Sequence, residues 1–157
     1  MVFLGNVLWF ALGGWLIGTV YFLGAIILFP LFPFLWPLVK YSYWPFGKVP
    51  ISRSALADYK QHAGIVEEMT KFDQASRVVR VLGNFVWILT FGWILAILHI
   101  LAAALNILFV WTIVTIPNIA GHLRLIGVAF RPFGRLIVPS SLAEEINVGA
   151  AKNKLGI

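Results

Sequence analysis

The sequence predicts an all-α integral membrane protein built from two parallel-repeated helical hairpins, with a cytoplasmic amphipathic helix between them. Three observations carry this prediction. Of 157 residues, 61% are hydrophobic and 11% charged, against roughly a quarter charged in soluble domains, so the chain cannot clothe its apolar side chains in a solvated surface. Residues 2–39 and 81–123 contain no Asp, Glu, Lys or Arg. Short motifs also recur in the two halves at matched spacing.

Residues 1–50 form the first hairpin unit. The opening MVFLGNVLWFALGGW has no basic start, and its apolar run exceeds the ~7 to 15 residues of a signal-peptide core, so it reads as a retained membrane segment. Fifteen residues separate Trp15 from Pro30, whereas twenty-four separate Trp93 from Pro117. Shared between two arms, the missing nine residues remove about 7 Å of depth at ~1.5 Å per residue, which makes the first hairpin short enough to be re-entrant. Pro30, Pro33 and Pro37 each remove a backbone donor, and predict a broken second arm packed against the other hairpin. The competing reading is one tilted span from Asn6 to Phe29 followed by an interfacial Pro-rich strip.

Residues 51–82 read as a cytoplasmic linker. Ser54 is placed to cap a short helix, Ala55 to His62, which Gly64 ends. Val66, Met69, Phe72, Ala75, Val79 and Leu82 then recur every three or four residues. Glu67 with Lys71 and Asp73 with Arg77 are favourable i,i+4 pairs. Residues 83–139 form the second hairpin unit. The 43 residues from Val81 to Leu123 fit two helices of roughly 20 residues, the length that crosses a ~30 Å hydrocarbon core. Residues 140–157 read as a polar, small, loosely ordered tail.

Charge sets the orientation. Lys40 to Arg80 holds seven basic and four acidic residues, and Arg124 to the C-terminus five and two, so each block nets +3. Basic residues near span ends stay on the cytoplasmic side, which places the central segment and the C-terminus together there, with an even number of crossings between them.

The repeat rests on two anchors. NVLWFALGGW, Asn6 to Trp15, matches NFVWILTFGW, Asn84 to Trp93, at the Asn, both Trp residues and the second Gly. Pro30 precedes PFGK, Pro45 to Lys48, by fifteen residues, as Pro117 precedes PFGR, Pro132 to Arg135. These residues, with the stretch from Ile116 through His122, Leu123 and Arg124 to Arg135, resemble the YccF family of small bacterial inner-membrane proteins, well over residues 84–138 and weakly over 6–48. The resemblance implies two such domains, the first one shortened, location in the bacterial cytoplasmic membrane, and no established biochemical activity. Two departures stand out. The family's G-I-P-F-G reads Thr115, Ile116, Pro117, Asn118, Ile119 here, and the aromatic before PFG is kept as Trp44 but replaced by Arg131.

Candidate sites follow from polar residues in apolar surroundings. His99 is a costly intramembrane group, read as a helix-packing contact or a proton-relay or pore position; Tyr21 holds its place in the first copy. Asn106, Thr112 and Thr115 add a thin polar line on the second arm. Asn6 and Asn84 are placed to cap helices or bond across them. Trp9, Trp15, Trp87 and Trp93 are candidates for an interfacial belt, with the inner pair, Trp15 and Trp93, able to pack inside instead. Lys48, Arg124, Arg131 and Arg135 are candidate contacts for lipid phosphates or another anion.

Composition excludes several classes. There is no Cys, hence no disulfide or thiolate chemistry. No carboxylate lies in an apolar segment, and His62, His99 and His122 are far apart in sequence. No metal-ligand spacing or phosphate loop appears, so neither metal, cofactor nor catalysis is expected. The basic charge is accounted for by topology, so no nucleic-acid partner is expected. The partners implied are membrane lipids and either further copies of the chain or a larger membrane complex. The leading reading is a homo-oligomeric channel-like or transport-related unit, and the alternative a non-catalytic accessory subunit.

Overall fold

The computed structural model describes residues 2–65 and 70–155. The chain runs α1 (Val2–Trp9), α2 (Trp15–Ile27), α3 (Phe32–Tyr43), β1 (Lys48–Ser52), α4 (Arg53–His62), α5 (Lys71–Trp87), α6 (Trp93–Leu108), α7 (Ile116–Phe130), β2 (Arg135–Pro139) and α8 (Ser140–Leu155). α1 joins α2 across a kink at Phe10–Gly14, where Leu12 (φ −90°, ψ 21°) and Gly13 (φ +123°) leave helical geometry, whereas a wider π-helical turn joins α5 to α6 at Ile88–Gly92. Each follows a buried tryptophan. At the first, Gly14 is required by a close approach, since a Cβ there would run into the Trp9 indole.

Two helices are long and apolar enough to cross a membrane, Val2–Ile27 and Asp73–Leu108, with mean hydropathies of 1.9 and 2.3. Only 33% and 28% of their apolar windows are buried. A core helix of a soluble protein would be enclosed on most sides; these present their apolar residues outward, as lipid-facing helices do.

α2 turns through a short 3-10 segment, Phe29–Leu31, and α3 returns along it. The broken second arm expected from the prolines is not what forms. Pro33 falls in the first turn of α3, where its missing N–H costs nothing, and Pro37 sits inside a helix that continues to Tyr43. In the second hairpin α6 and α7 are joined by Val110–Thr112 and by Ile113, whose φ is +63°.

The linker differs from its expected form. The short helix starts two residues early, capped by Ser52, whose Oγ accepts from Ala55 N at 3.0 Å, and Gly64 ends it with φ +73°. Val66, Met69, Glu67 and the Phe72 side chain lie outside the described residues. From Thr70, which forms a capping box with Asp73, the helix continues without a break into the apolar region, so no separate amphipathic helix ends at Leu82. Gly83 alone cannot stop it, because one helical glycine costs only about 1 kcal/mol. Ala75, Val79 and Leu82 of the expected stripe are exposed.

Two elements were absent from the sequence reading. β1 and β2 pair antiparallel, Lys48 opposite Pro139 through Ser52 opposite Arg135. A two-stranded ribbon is marginal alone, and α4 and α8 cover it. Ile51, Ala143 and Ile146 form the centre of that layer, with Val49, Leu56, Tyr59, Leu136 and Val138 around them. The segment expected as a loose tail is therefore the packed helix α8, and its Glu145 accepts a hydrogen bond from the Tyr59 hydroxyl. Its Leu142, Ala143 and Ile146 fall on one helical face, a signal masked by the polar residues between them.

Candidate functional site

Two turns and the rings between them organise the centre of the molecule. At each PFG turn a glycine occupies the left-handed region, Gly47 at φ +85° and Gly134 at φ +91°, as a type II turn requires at its third residue. Asparagine clamps both turns. Asn6 Nδ2 donates to Phe46 O at 3.2 Å while its Oδ1 accepts from Phe46 N at 2.8 Å; Asn84 makes the same pair with Phe133, each bond 3.0 Å. A tryptophan one helical turn later completes each clamp. Trp9 Nε1 donates to Ser42 O at 2.8 Å, and Trp87 Nε1 to Ala129 O at 2.9 Å. Their rings meet Phe46 and Phe133 edge-on, with centroids 5.9 and 6.3 Å apart.

Asn6 and Asn84 thus bond across the fold to turn backbone rather than capping helices. Trp9 and Trp87 correct the belt assignment: both are 0% exposed, because an indole N–H bonded to backbone inside the bundle cannot also sit at headgroup level. Trp15 and Trp93, the pair considered for the interior, are the exposed ones, at 49% and 59%.

From the clamps a row of stacked and tilted rings crosses the interior. Trp9 stacks on His122 at 4.2 Å, His122 meets His99 at 5.4 Å, His99 meets Tyr21 at 6.2 Å, and Tyr21 stacks on Trp87 at 6.0 Å. The structure therefore brings together two histidines that are twenty-three residues apart in sequence, with Nδ1 of one 3.1 Å from Nδ1 of the other. Such a contact needs one proton between the rings. The donor is then protonated at Nδ1 with a bare Nε2, and a neutral acceptor carries its proton on Nε2. Both Nε2 atoms and the Tyr21 hydroxyl are buried without a protein partner. The pair can pass a proton by exchanging tautomers, provided those Nε2 atoms are reached from outside.

The polar line on the second hairpin lies elsewhere. Asn106 donates to Ala102 O at 2.8 Å and accepts from Asn118 Nδ2 at 3.5 Å, so the residue standing where the family motif has phenylalanine is a buried polar partner on α7. Thr112 and Thr115 both donate to Phe109 O. With Leu8 and Leu12 these residues line a largely apolar groove of about 480 Å³ on the flank of the chain.

The four basic candidates do not gather. Lys48 and Arg131 are exposed, and Arg124 lines a surface groove beside Glu144 and Asn147. Arg135 instead joins Arg53 and Arg80 around a separate pocket of about 280 Å³. Sequence spacing missed His122, Tyr21, Asn118, Arg53 and Arg80 as site residues, because each becomes one only through a partner on another element. Among the described residues no three His, Cys, Asp or Glu converge as metal ligands.

Residues 82–135 match the family model YccF, an inner membrane component domain, so the matched stretch includes Asn84, Trp87, both histidines and the second clamped turn. No solved structure matches the chain. Over 155 residues, 95% of this chain and 95% of theirs, the sequence is 27% identical to the inner membrane protein YccF of Escherichia coli (strain K12) and to that of Shigella flexneri.

Proposed function

We propose that this chain is a multi-pass protein of the bacterial inner membrane that acts without catalysis, by assembly, as a homo-oligomeric channel-like or transport-related unit. Its plan is a duplicated hairpin, with the central segment and the C-terminal helix on the cytoplasmic side. The two identically bonded Asn–Trp–PFG clamps support duplication, and the relatives' name supports the location. The flank groove carries the assembly reading. It is largely apolar and lies open at the outside of a single chain beside Asn106, Thr112 and Thr115, so a second copy seated there would cover it.

A specific feature favours the accessory-subunit alternative. Val78, Val81, Leu82 and Phe85 form an exposed apolar face on α5, continuous with its charged start and suited to docking on a larger complex.

Native mass of the full chain in detergent separates the two. A defined homo-oligomer supports the channel-like reading, and a monomer recovered in fixed ratio with a larger membrane partner supports the alternative. Oligomers that carry no flux of any tested ion or solute in liposomes would defeat the transport reading. For topology, single cysteines at Thr70→Cys and Ser141→Cys should react with an impermeant maleimide from the same side. Labelling from opposite sides rejects the even-crossing plan.

A further inference from the structure

The two clamped turns share one backbone frame but differ in charge. At the second turn, Arg53 N donates to Gly134 O at 3.1 Å, Arg80 Cδ lies 3.7 Å from where a Gly134 Cβ would stand, and Arg135 follows the glycine directly. At the first turn, Ser140 N donates to Gly47 O at 3.1 Å, Val2 Cγ1 lies 3.0 Å from where a Gly47 Cβ would stand, and Lys48 follows. The same frame is thus built with Ser140, Val2 and Lys48 in one place and with Arg53, Arg80 and Arg135 in the other. The turn does not need the arginines.

Among the described residues their surroundings offset only part of this charge. The pocket they border is backed by Pro33, Phe34 and Pro37 of the returning arm, a wall with no proline N–H and no carboxylate. Among the described residues Asp73 is the acid whose charge reaches Arg53 and Arg80, one negative charge against three positive; its Oδ2 also accepts from the Thr70 backbone N–H at 3.1 Å and hydroxyl at 2.6 Å. Arg80 donates from Nη1 to Ser76 Oγ at 2.8 Å, and each guanidinium offers five N–H groups. Three arginines lining one pocket beside an apolar wall supply the planar N–H forks that a tetrahedral oxyanion accepts in bidentate fashion from several sides.

We propose that Arg53, Arg80 and Arg135 form a binding pocket for a phosphate-bearing anion, either a phospholipid headgroup or a free phosphate. The inference is independent of whether the chain assembles into a channel.

The test uses the full chain in detergent, with thermal unfolding followed by tryptophan fluorescence. Two probes are compared: inorganic phosphate against chloride at equal ionic strength, and phosphatidylglycerol against phosphatidylcholine at equal mole fraction in mixed micelles. Saturating ligand should raise the midpoint by about 5 °C. Protection by phosphatidylglycerol alone assigns the pocket to a lipid headgroup; protection by inorganic phosphate as well assigns it to the phosphate itself. The variant Arg53→Ser, Arg80→Val, Arg135→Lys imports the first turn's own residues and should fold while losing the protection, and Arg124→Gln with Arg131→Gln should keep it. The proposal is overturned if neither probe protects, if phosphatidylcholine protects equally, if the exchanged variant still responds, or if that variant cannot fold without its arginines.

Discussion

Replacing Asn84 by aspartate changes one NH2 group into an oxygen and tests the clamp directly. In the native turn the carboxamide accepts from Phe133 N and donates to Phe133 O, both at 3.0 Å. A carboxylate keeps the first bond but places an oxygen against the Phe133 carbonyl. Leaving that carbonyl unpaired costs about 1–3 kcal/mol, and oxygen facing oxygen at roughly 3 Å adds to it, for a total of about 2–4 kcal/mol. For a chain of this size 1 kcal/mol moves the midpoint by about 2–4 °C, so Asn84→Asp should unfold roughly 5–15 °C below wild type. Asn84→Ala strands both Phe133 N and Phe133 O, at about 1–3 kcal/mol each, and should be destabilised at least comparably. Asn147 on α8 is exposed, and Asn147→Asp should stay within about 1–2 °C. Thermal unfolding in detergent, read by intrinsic fluorescence, gives all three values. An Asn84→Asp midpoint equal to the Asn147→Asp midpoint refutes the claim that the carboxamide holds the turn through both of its ends.

Two further predictions come from the rings. Trp9→Phe keeps most of the buried area but orphans Ser42 O, and should cost about 1–3 kcal/mol; Trp15→Phe, on the outer surface, should cost less than about 0.5 kcal/mol, and the reverse order in chemical unfolding would restore the belt assignment. His99→Leu and His122→Leu each strand the Nδ1 atom of the other ring, whereas the double replacement leaves neither stranded. A double-mutant cycle should therefore show the pair less destabilised than the sum of its singles by about 1–2 kcal/mol, and strict additivity would mean that the 3.1 Å contact does not couple the two side chains.

How much of this was readable beforehand follows from the range of each interaction. The charge-free segments, the recurring Asn, Trp and PFG residues, and the Gly64 signal at a helix end are local and can be read in order, whereas the cap expected at Ser54 falls to Ser52. What the recurring residues do is not local. Asn6 bonds to a turn forty residues away and Asn84 to one forty-nine residues away, and the partner atoms are backbone, which carries no residue signature. The ribbon was hidden for the same reason: five-residue strands containing proline look like irregular linkers until the partner strand, near the other end of the chain, is present. Trp9 and Trp15 are six residues apart, which at about 100° per residue puts them on different sides of a helix. One had to be inside, but the helix alone could not say which. The answer came from Ser42, whose carbonyl meets only the first of them.

Setting the two PFG turns side by side also separates what the fold requires from what it tolerates. Where both turns keep a residue, as at Asn6 and Asn84 or Gly47 and Gly134, the same bonds are made twice, and the residue is explained by its turn. Where the turns keep the backbone contact but exchange the side chain, as at Ser140 and Arg53, folding does not determine the choice. The same logic applies inside the bundle, where Tyr21 and His99 occupy matching places and touch each other, yet only His99 finds a second imidazole within hydrogen-bonding distance. Chemistry specific to this chain is therefore to be sought where matched positions share a frame and differ in functional groups: at the histidine pair and at the arginine-lined turn.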